Sequence, residues 1–498
     1  MVSVLLLIAT VETVRGQTTQ PQIVPLSGRG GQGGSVVATQ TPVPGPTTGV
    51  NTLNPAVSVQ GPFTGSTAGA ARRPFSGTLS LQDAVQRGLE YNLGIVNLSA
   101  LVKQAHGQRS VARSALLPNV VGEFNAIRQT VNLGSFGFQF PAGAGFDFPT
   151  VVGPFNNTDF RARLSQSVFD RTAWNNYRAA VATARADELS VEDTRELIVL
   201  GVGATYLQVA AIGARVESAR AQLDTANALY QQSAERRRVG LVAQLDVDRS
   251  QVQALTQQQR LISLQNDFAK QKINLARMVG LPPTDQYNLG ENIPYKPASD
   301  FALEDLLRQA RDKRADLKAA AAQVEAAERS LSAARAQRLP ALHLNADVGA
   351  IGASPADARR TFSIAGVVRV PLWLGGRTEG QILQAEAAVA QRRAEADDLT
   401  SQIEGDVRKA YLDLQAVAAQ VDLADRSRQV AREALGLTRQ RFDAGISDNV
   451  EVIQAQEALA SAELDYINSI FAHNLAKLSL ARATGQGDER LSDFLKTP

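Results

Sequence analysis

The sequence contains no cysteine, few aromatic residues and two very long stretches without proline. The absence of cysteine from all 498 residues excludes disulfides, thiolate metal ligands, a cysteine nucleophile and an N-terminal lipid carried on cysteine. Aromatic residues make up only 5%, which is not the composition of a compact enzyme. Residues 155–281 and 372–497 lack proline, although the chain holds 20 prolines. Because proline disrupts helix interiors, these two stretches permit very long helices.

Metal, nucleic-acid and catalytic sites are not indicated. His106, His343 and His473 lie more than a hundred residues apart without ligand-like spacing, so we expect ordinary surface or lumen residues and no metal site. The 51 basic and 49 acidic residues are interleaved, which leaves no basic stripe for nucleic acid. No two catalytic-type residues recur at a coherent spacing outside the helical charge pattern. We therefore expect no catalytic residues and no enzyme activity.

The N-terminal residues predict export. Residues 1–17 contain the apolar run VSVLLLIATVETV, followed by a small residue at a plausible cleavage point. This run resembles the core of a secretory signal peptide that lacks its positive n-region, as a misplaced start codon would leave it. Residues 18–77 are dominated by Pro, Gly, Thr, Ser and Gln with almost no charge, so we predict a disordered leader.

The rest of the chain is an internal duplication, with copies at residues 78–281 and 301–485. LSLQDAVQRGLEYN in the first copy matches FALEDLLRQARDKR in the second at an offset of 222, and an offset of 205 later pairs Gly240 with Gly445. Each copy predicts, in order, a helix, two strands, a long helix, a break and another helix. A connector joins the copies and a C-terminal tail follows them, at residues 282–300 and 486–498.

Several segments of about ten residues alternate between apolar and strongly polar side chains, as transmembrane β-strands with a wet lumen do. LHLNADVGA, TFSIAGVVRV and DFRARLSQSVF show this pattern, and a fourth, less regular strand starts near Val120. A half-buried strand of a soluble sheet would give the same alternation. Four strands cannot close a barrel, which needs about eight, so closure requires several chains, and three would supply twelve strands.

Two long helices are predicted at residues 172–239 and 376–443, each 68 residues long. At 1.5 Å per residue each would span roughly 100 Å, which suits a projecting tube and no globular core. Residues 197–214 are 18 residues without a charge, at the threshold for a membrane helix. Because the matching stretch of the second copy carries five charges, we predict a helix that packs on its neighbours.

The paired A-R-x-x-x-L-P elements, KAYLDLQA, and RFDAGISDNVEVIQAQ beside RRRVGLVAQLDVDRSQ together resemble the TolC-like outer-membrane efflux proteins over residues 78–485. The resemblance implies a mixed α/β membrane protein, a homotrimer with a 12-stranded transmembrane β-barrel built from 4 strands per chain and continued by a periplasmic α-helical barrel. It further implies an exit duct of a tripartite efflux pump or type I secretion system, with outer-membrane lipid, a periplasmic adaptor and an inner-membrane RND or ABC transporter as partners. Such proteins need no cofactor, and no nucleotide loop is present here. The alternative is a periplasmic coiled-coil scaffold without a pore.

The resemblance also assigns the ends of the two helical hairpins. The tips, where the adaptor binds in the family, fall on Arg238, Val239, Gly240 and Leu241 and on Arg441, Ala444, Gly445 and Ile446. A glycine flanked by small apolar residues lets the chain reverse and exposes an apolar knob to a partner. A turn without a partner is the alternative.

Acidic residues near these tips predict a periplasmic gate. The acidic pair with which family members close falls on Glu451 and Gln454, so one acid is kept and one is lost. Three copies of Glu451 around an axis would repel anions and attract cations. Asp246 matches an acidic family position that ties neighbouring coils together, and its usual arginine partner aligns with Ser447. A solvated helix face is the alternative for each of these charges.

Overall fold

The structure is a computed structural model of the full chain. The residues it describes all belong to one unit of the chain, residues 32–498. They are residues 35–44, 51–67, 77–136, 150–282, 287–290, 295–297 and 301–487. The predicted signal peptide and nearly all of the predicted C-terminal tail lie outside the described residues.

Both copies have the same element order: two short helices, two strands, a long helix and a shorter helix. The first copy consists of α1 (Leu81–Tyr91), α2 (Leu93–Ser114), β4 (Asn119–Asn132), β5 (Val151–Phe169), α3 (Arg171–Arg238) and α4 (Gln244–Met278). The second consists of α5 (Leu303–Lys313), α6 (Ala315–Ala336), β7 (Ala341–Gly352), β8 (Arg359–Arg369), α7 (Arg377–Asp443) and α8 (Asn449–Ala483). The predicted order is confirmed, except that the first helix of each copy is divided in two. Extended backbone at Asn92 and Arg314 makes this division, and the Asn92 side chain caps α2 by accepting from Gly94 N.

The long helices α3 and α7 contain 68 and 67 residues, against 68 predicted for each. One stretch of α3 is apolar enough to cross a membrane, but 72% of it is buried inside the protein. Ile198, Val202 and Tyr206 there lie in a core shared with α1, α4 and α8, and the Tyr206 hydroxyl donates to Leu79 O at 3.0 Å. The predicted packing on neighbouring helices is therefore confirmed.

The four strands form one antiparallel sheet in the order β4-β5-β7-β8. Its register pairs Ala162 with Val348 and Val348 with Phe362, so the apolar side chains predicted on each strand share one face. Charged and polar side chains share the other face: Glu123, Asp159, Arg161, Arg163, His343, Asn345, Asp347 and Ser363. Among the described residues, β4 and β8 each have a neighbour on one side only.

The disordered-leader prediction is wrong for part of residues 18–77. Val36–Pro44 (β1) and Asn51–Val59 (β2) form an antiparallel hairpin, and Gln40 Nε2 donates to Ala472 O of α8 at 3.0 Å. Scattered apolar residues anchor this segment, because Val36 packs where Gly201 leaves space on α3 and Phe63 is 1% exposed. The prediction of disorder used the composition of residues 18–77 as a whole, which does not reveal these few contacts.

The connector is also tied into the fold. Gly77–Leu79 (β3) pairs in parallel with Tyr287–Leu289 (β6), and Lys477 of α8 donates to the carbonyl oxygen of Lys296. These contacts join the start of the first copy, the connector and the last helix.

His473 is not the surface or lumen residue that we expected. It is fully buried and its ring lies edge-on to Tyr295 at 4.9 Å, and this burial, with nearby Lys477, lowers the pKa of His473 to about 4. His106 contacts Glu188 at 2.9 Å. Over the described ranges, no group of His, Cys, Asp and Glu is arranged to hold a metal ion.

Candidate functional site

The first helical hairpin reverses at a glycine turn between α3 and α4. Gly240 has a φ of 79°, its N–H donates to Arg237 O at 3.0 Å, and Leu241 N donates to Arg236 O at 2.9 Å. These two bonds satisfy carbonyls that a helix end otherwise leaves unpaired, and they require a left-handed residue that glycine adopts without strain. The helix therefore ends at a defined residue and the chain turns back.

The second hairpin, between α7 and α8, repeats this geometry. Gly445 has a φ of 73° and donates to Phe442 O at 3.0 Å, and Ile446 N donates to Arg441 O at 2.9 Å. The predicted tip residues all lie in or next to the two turns: Arg238, Val239, Gly240, Leu241, Arg441, Ala444, Gly445 and Ile446.

Both tips expose apolar side chains. Val239 and Leu241 are 68% and 74% exposed, and Ile446 is 71% exposed. Exposed aliphatic side chains at the end of a hairpin cost solvation unless a partner covers them. The geometry of an apolar knob is present at each tip.

Arg236 links the two hairpins, a role that the sequence did not reveal. Its guanidinium lies 4.2 Å from the centre of the Phe442 ring, Nη1 donates to Phe442 O at 2.9 Å, and Nη2 lies 3.2 Å from Asp443 Oδ1. Gln232 Nε2 donates to the same carboxylate oxygen at 2.7 Å. We call the contact of Arg236 with Phe442 and Asp443 the inter-hairpin clamp. The sequence has three consecutive arginines at this point. Which of them faces the second hairpin depends on the orientation of α3 about its axis, which the structure provides.

Glu451 is engaged within its own hairpin. It lies in the first turn of α8, where the Asp448 side chain accepts from Glu451 N at 3.1 Å. Ser447 Oγ donates to Glu451 Oε2 at 2.7 Å, and Arg441 Nη1 lies 3.4 Å from the same oxygen. The carboxylate thus braces the turn from which Arg441 extends.

Asp246 and Gln454 occupy different surroundings. The Asp246 carboxylate lies 3.7 Å from Arg249 of its own helix, whereas its backbone carbonyl accepts from Asn449 Nδ2 at 2.8 Å. Asn449 of the second hairpin therefore holds the first hairpin through the backbone, and Ser447 contacts Glu451 instead of Asp246. Gln454 is exposed one turn into α8.

A cavity of about 390 Å³ lies between the hairpins close to the tips. Helices α3, α7 and α8 supply its walls, which include Leu229, Phe442 and Asp443. Gln456 lines it and is only 8% exposed, and neither amide atom of its side chain has a hydrogen-bond partner within the described part of the chain. A buried amide without a hydrogen-bond partner is costly, so Gln456 is a polar group that the packing of this region leaves unsatisfied.

At the other end of the molecule, the polar face of the sheet carries a network of ion pairs. Arg161 on β5 contacts Asp347 on β7 and lies 3.2 Å from Asp159. Arg163 lies 3.2 Å from Glu123 on β4. These pairs connect three strands on the side opposite the apolar face.

Comparisons with known proteins match nearly all of the duplicated region. The family model described as outer membrane efflux protein matches residues 84–281 and 306–486. The alkaline protease secretion protein AprF of Pseudomonas aeruginosa is 27% identical over 408 residues, covering 76% of this chain and 81% of AprF. The pyoverdine export outer membrane protein OpmQ of Pseudomonas putida is 26% identical over 406 residues, covering 78% of this chain and 82% of OpmQ.

Solved structures show the same fold. The crystal structure of the Campylobacter jejuni CmeC outer membrane channel superposes with a TM-score of 0.71 at 16% sequence identity. It covers 84% of this chain and 89% of the CmeC chain. The arrangement of strands and long helices described above is thus shared with a known channel.

Proposed function

The chain belongs to the outer membrane efflux protein family, a family of channels in the outer membrane, and from this we propose that three copies form one exit duct. The resemblance inferred from the sequence is thereby confirmed, as are the outer-membrane location and a fold that extends into the periplasm. In the proposed trimer the sheets close into a 12-stranded barrel, and the helices continue it as a tube.

The separation of the two faces of the sheet is the single observation that carries this proposal. The apolar side chains of the four strands share one face, which is costly to expose to water. Among the described residues, β4 and β8 each lack a neighbour on one side, and such free edges invite aggregation. Lipid covers the apolar face and neighbouring copies pair the free edges in a closed barrel. The charged face then lines the pore.

We propose that the tips and the cavity between the hairpins receive a periplasmic adaptor, which connects the duct to an inner-membrane RND or ABC transporter. The exposed Val239, Leu241 and Ile446 provide apolar contact area for such a partner. AprF is named for protease secretion and OpmQ for pyoverdine export, so both proteins and small molecules pass through relatives. For this chain we propose passive transport of drugs or other small molecules.

The duct hypothesis is tested with the full chain purified in detergent and inserted into planar bilayers. We expect detergent-dependent trimers and steady conductance. A periplasmic scaffold would instead be extracted in aqueous buffer and would give no conductance, and that result would overturn the proposal.

The Glu451→Gln substitution is expected to reduce the cation preference of the channel and to weaken its block by multivalent cations. A unit charge at contact distance attracts another by about 1 kcal/mol in water, so block should weaken about five-fold. In the wild-type protein, Arg441 Nη1 lies 3.4 Å from the Glu451 carboxylate. The substitution therefore also leaves Arg441 as a positive charge without this partner.

Reversal potentials in a salt gradient and titration with a multivalent cation measure both effects. Glu433→Gln is the matched control, because Glu433 is an exposed acid on α7 away from the tips. An unchanged reversal potential and block in Glu451→Gln would remove Glu451 from the gate.

A further inference from the structure

The apolar face of the sheet has a sharp limit on each edge strand. On β4 the side chains of this face run through Val120, Phe124 and Ala126 and are followed by Arg128. On β8 they run from Val368 through Ile364 to Phe362 and are followed by Arg360. On the apolar face of each edge strand, the first charged residue is therefore an arginine, which lies near the end of the strand remote from the helices.

These two limits do not lie in the same hydrogen-bonded row. The row that contains Arg360 continues through Ala350 and Phe160 to Phe124, which is four residues before Arg128 on β4. Four residues correspond to about 14 Å along a strand, and the three strand spacings between β4 and β8 also correspond to about 14 Å. A line that joins the limits therefore crosses the rows at about 43°, within the 35–45° tilt of strands in membrane barrels. When the strands tilt by that angle in the sense that places Phe124 nearer the periplasm than Arg360, Arg128 and Arg360 lie at one height in the membrane.

The surroundings of these arginines differ from those of the arginines on the polar face. Arg161 and Arg163 are held by Asp159, Asp347 and Glu123. Arg128 and Arg360 are exposed, and neither makes an ion pair or hydrogen bond to any residue that the structure describes. Two unneutralised guanidinium groups thus project on the lipid side.

We propose that Arg128 of one copy and Arg360 of the next bind a phosphate group on a lipid of the outer leaflet. This inference depends on the proposed trimer, because closure places the free edge of β8 beside the free edge of β4 of the neighbouring copy. The two arginines then meet at the seam between copies, at the outer limit of the apolar band.

The chemistry of the site fits a phosphate monoester. A guanidinium donates two parallel hydrogen bonds to phosphate oxygens, and two such groups match a doubly charged ligand. An arginine on the lipid face is costly at the membrane midplane but tolerated near the headgroups, where phosphates lie. Because the helices extend into the periplasm, the opposite strand ends face the outer leaflet, which carries phosphorylated lipid A.

Native mass spectrometry of the full-length trimer in detergent, titrated with bisphosphorylated lipid A, tests this site. Arg128→Gln and Arg360→Gln should each weaken binding about ten-fold, since one charge-assisted phosphate contact is worth about that factor. The double substitution should reduce binding to the level of dephosphorylated lipid A. Arg359→Gln is the matched control, because Arg359 adjoins Arg360 but pairs with Ile351 on the opposite face of the sheet.

Retention of wild-type affinity by the double variant, or an equal loss in Arg359→Gln, would overturn the inference. Equal binding of dephosphorylated lipid A by the wild-type protein would overturn it as well. Conductance of the same samples separates this outcome from failure of the duct. A conducting trimer with unchanged lipid A binding contradicts only the seam site, whereas a wild-type protein without trimers or conductance contradicts the duct.

Discussion

Replacing Arg236 with alanine is expected to loosen the periplasmic end and to raise the hydrogen-exchange rate of the second hairpin tip. The inter-hairpin clamp combines stacking on Phe442 with hydrogen bonds to Phe442 O and Asp443. An exposed cation–π contact contributes about 0.5–1 kcal/mol and a hydrogen bond to a charged group about 1.5–3 kcal/mol. Loss of about 2–4 kcal/mol in total should accelerate local opening by roughly 30-fold or more.

Hydrogen exchange of the amides at residues 440–452 measures this effect, and single-channel recording measures its consequence for conductance. A looser second hairpin should increase mean conductance if the tips narrow the entrance. Arg237→Ala is the matched control, because Arg237 carries the same charge one residue later but donates within its own hairpin, from Nη1 to Val242 O at 3.4 Å. Equal exchange rates in the two variants would show that the inter-hairpin clamp does not restrain the tip.

The duplication explains why so much of the fold could be predicted. Local backbone preferences determine helices, strands and tight turns, and they can be predicted from the sequence. The signals here are paired glycines at a constant offset, long stretches without proline and strands with period-two alternation. Helix α3, predicted at residues 172–239, spans Arg171–Arg238. The turns at Gly240 and Gly445 lie where the offset placed them.

The features that could not be predicted depend on contacts between distant segments. Phe63 and Val36 stabilise the N-terminal segment because they fit against Gly94 and Gly201, and a composition count does not register two such contacts. Likewise, His473 gave no sign of burial. The selection of Arg236 from three adjacent arginines required the position of the second hairpin.

For the predicted gate residues, too, the position along the chain could be predicted but the side-chain partners could not. The family resemblance placed Glu451 and Asp246 after their turns, and they lie in the first turns of α8 and α4. Their partners were not predictable from position, since Asn449 contacts a backbone carbonyl of Asp246 and Ser447 contacts Glu451. A gate at this mouth therefore remains a proposal that the Glu451→Gln experiment tests.

Gly280→Ala is expected to destabilise the protein far more than Gly240→Ala, although both glycines end a helix in the same way. Both have left-handed φ angles, 73° and 79°, which cost an L-residue about 1–2 kcal/mol. A Cβ at Gly280 would also lie 2.8 Å from Tyr91 Cβ, whereas a Cβ at Gly240 would meet nothing within 4 Å. Overpacking adds about 1–3 kcal/mol, giving about 2–5 kcal/mol for Gly280→Ala.

Thermal unfolding of detergent-purified protein, with the yield of folded trimer, measures the difference, and the second copy supplies a replicate. A Cβ at Gly485 would lie 3.1 Å from the backbone nitrogen of Arg314, whereas one at Gly445 would be free of contacts. Gly485→Ala should therefore resemble Gly280→Ala, and Gly445→Ala should resemble Gly240→Ala. Four equal losses would mean that backbone strain alone sets the cost. Large losses of stability at Gly280 and Gly485 with small losses at Gly240 and Gly445 would show that packing around each glycine sets the cost. The same glycine turn would then be buried in the core at one end of each hairpin and exposed to a partner at the other end.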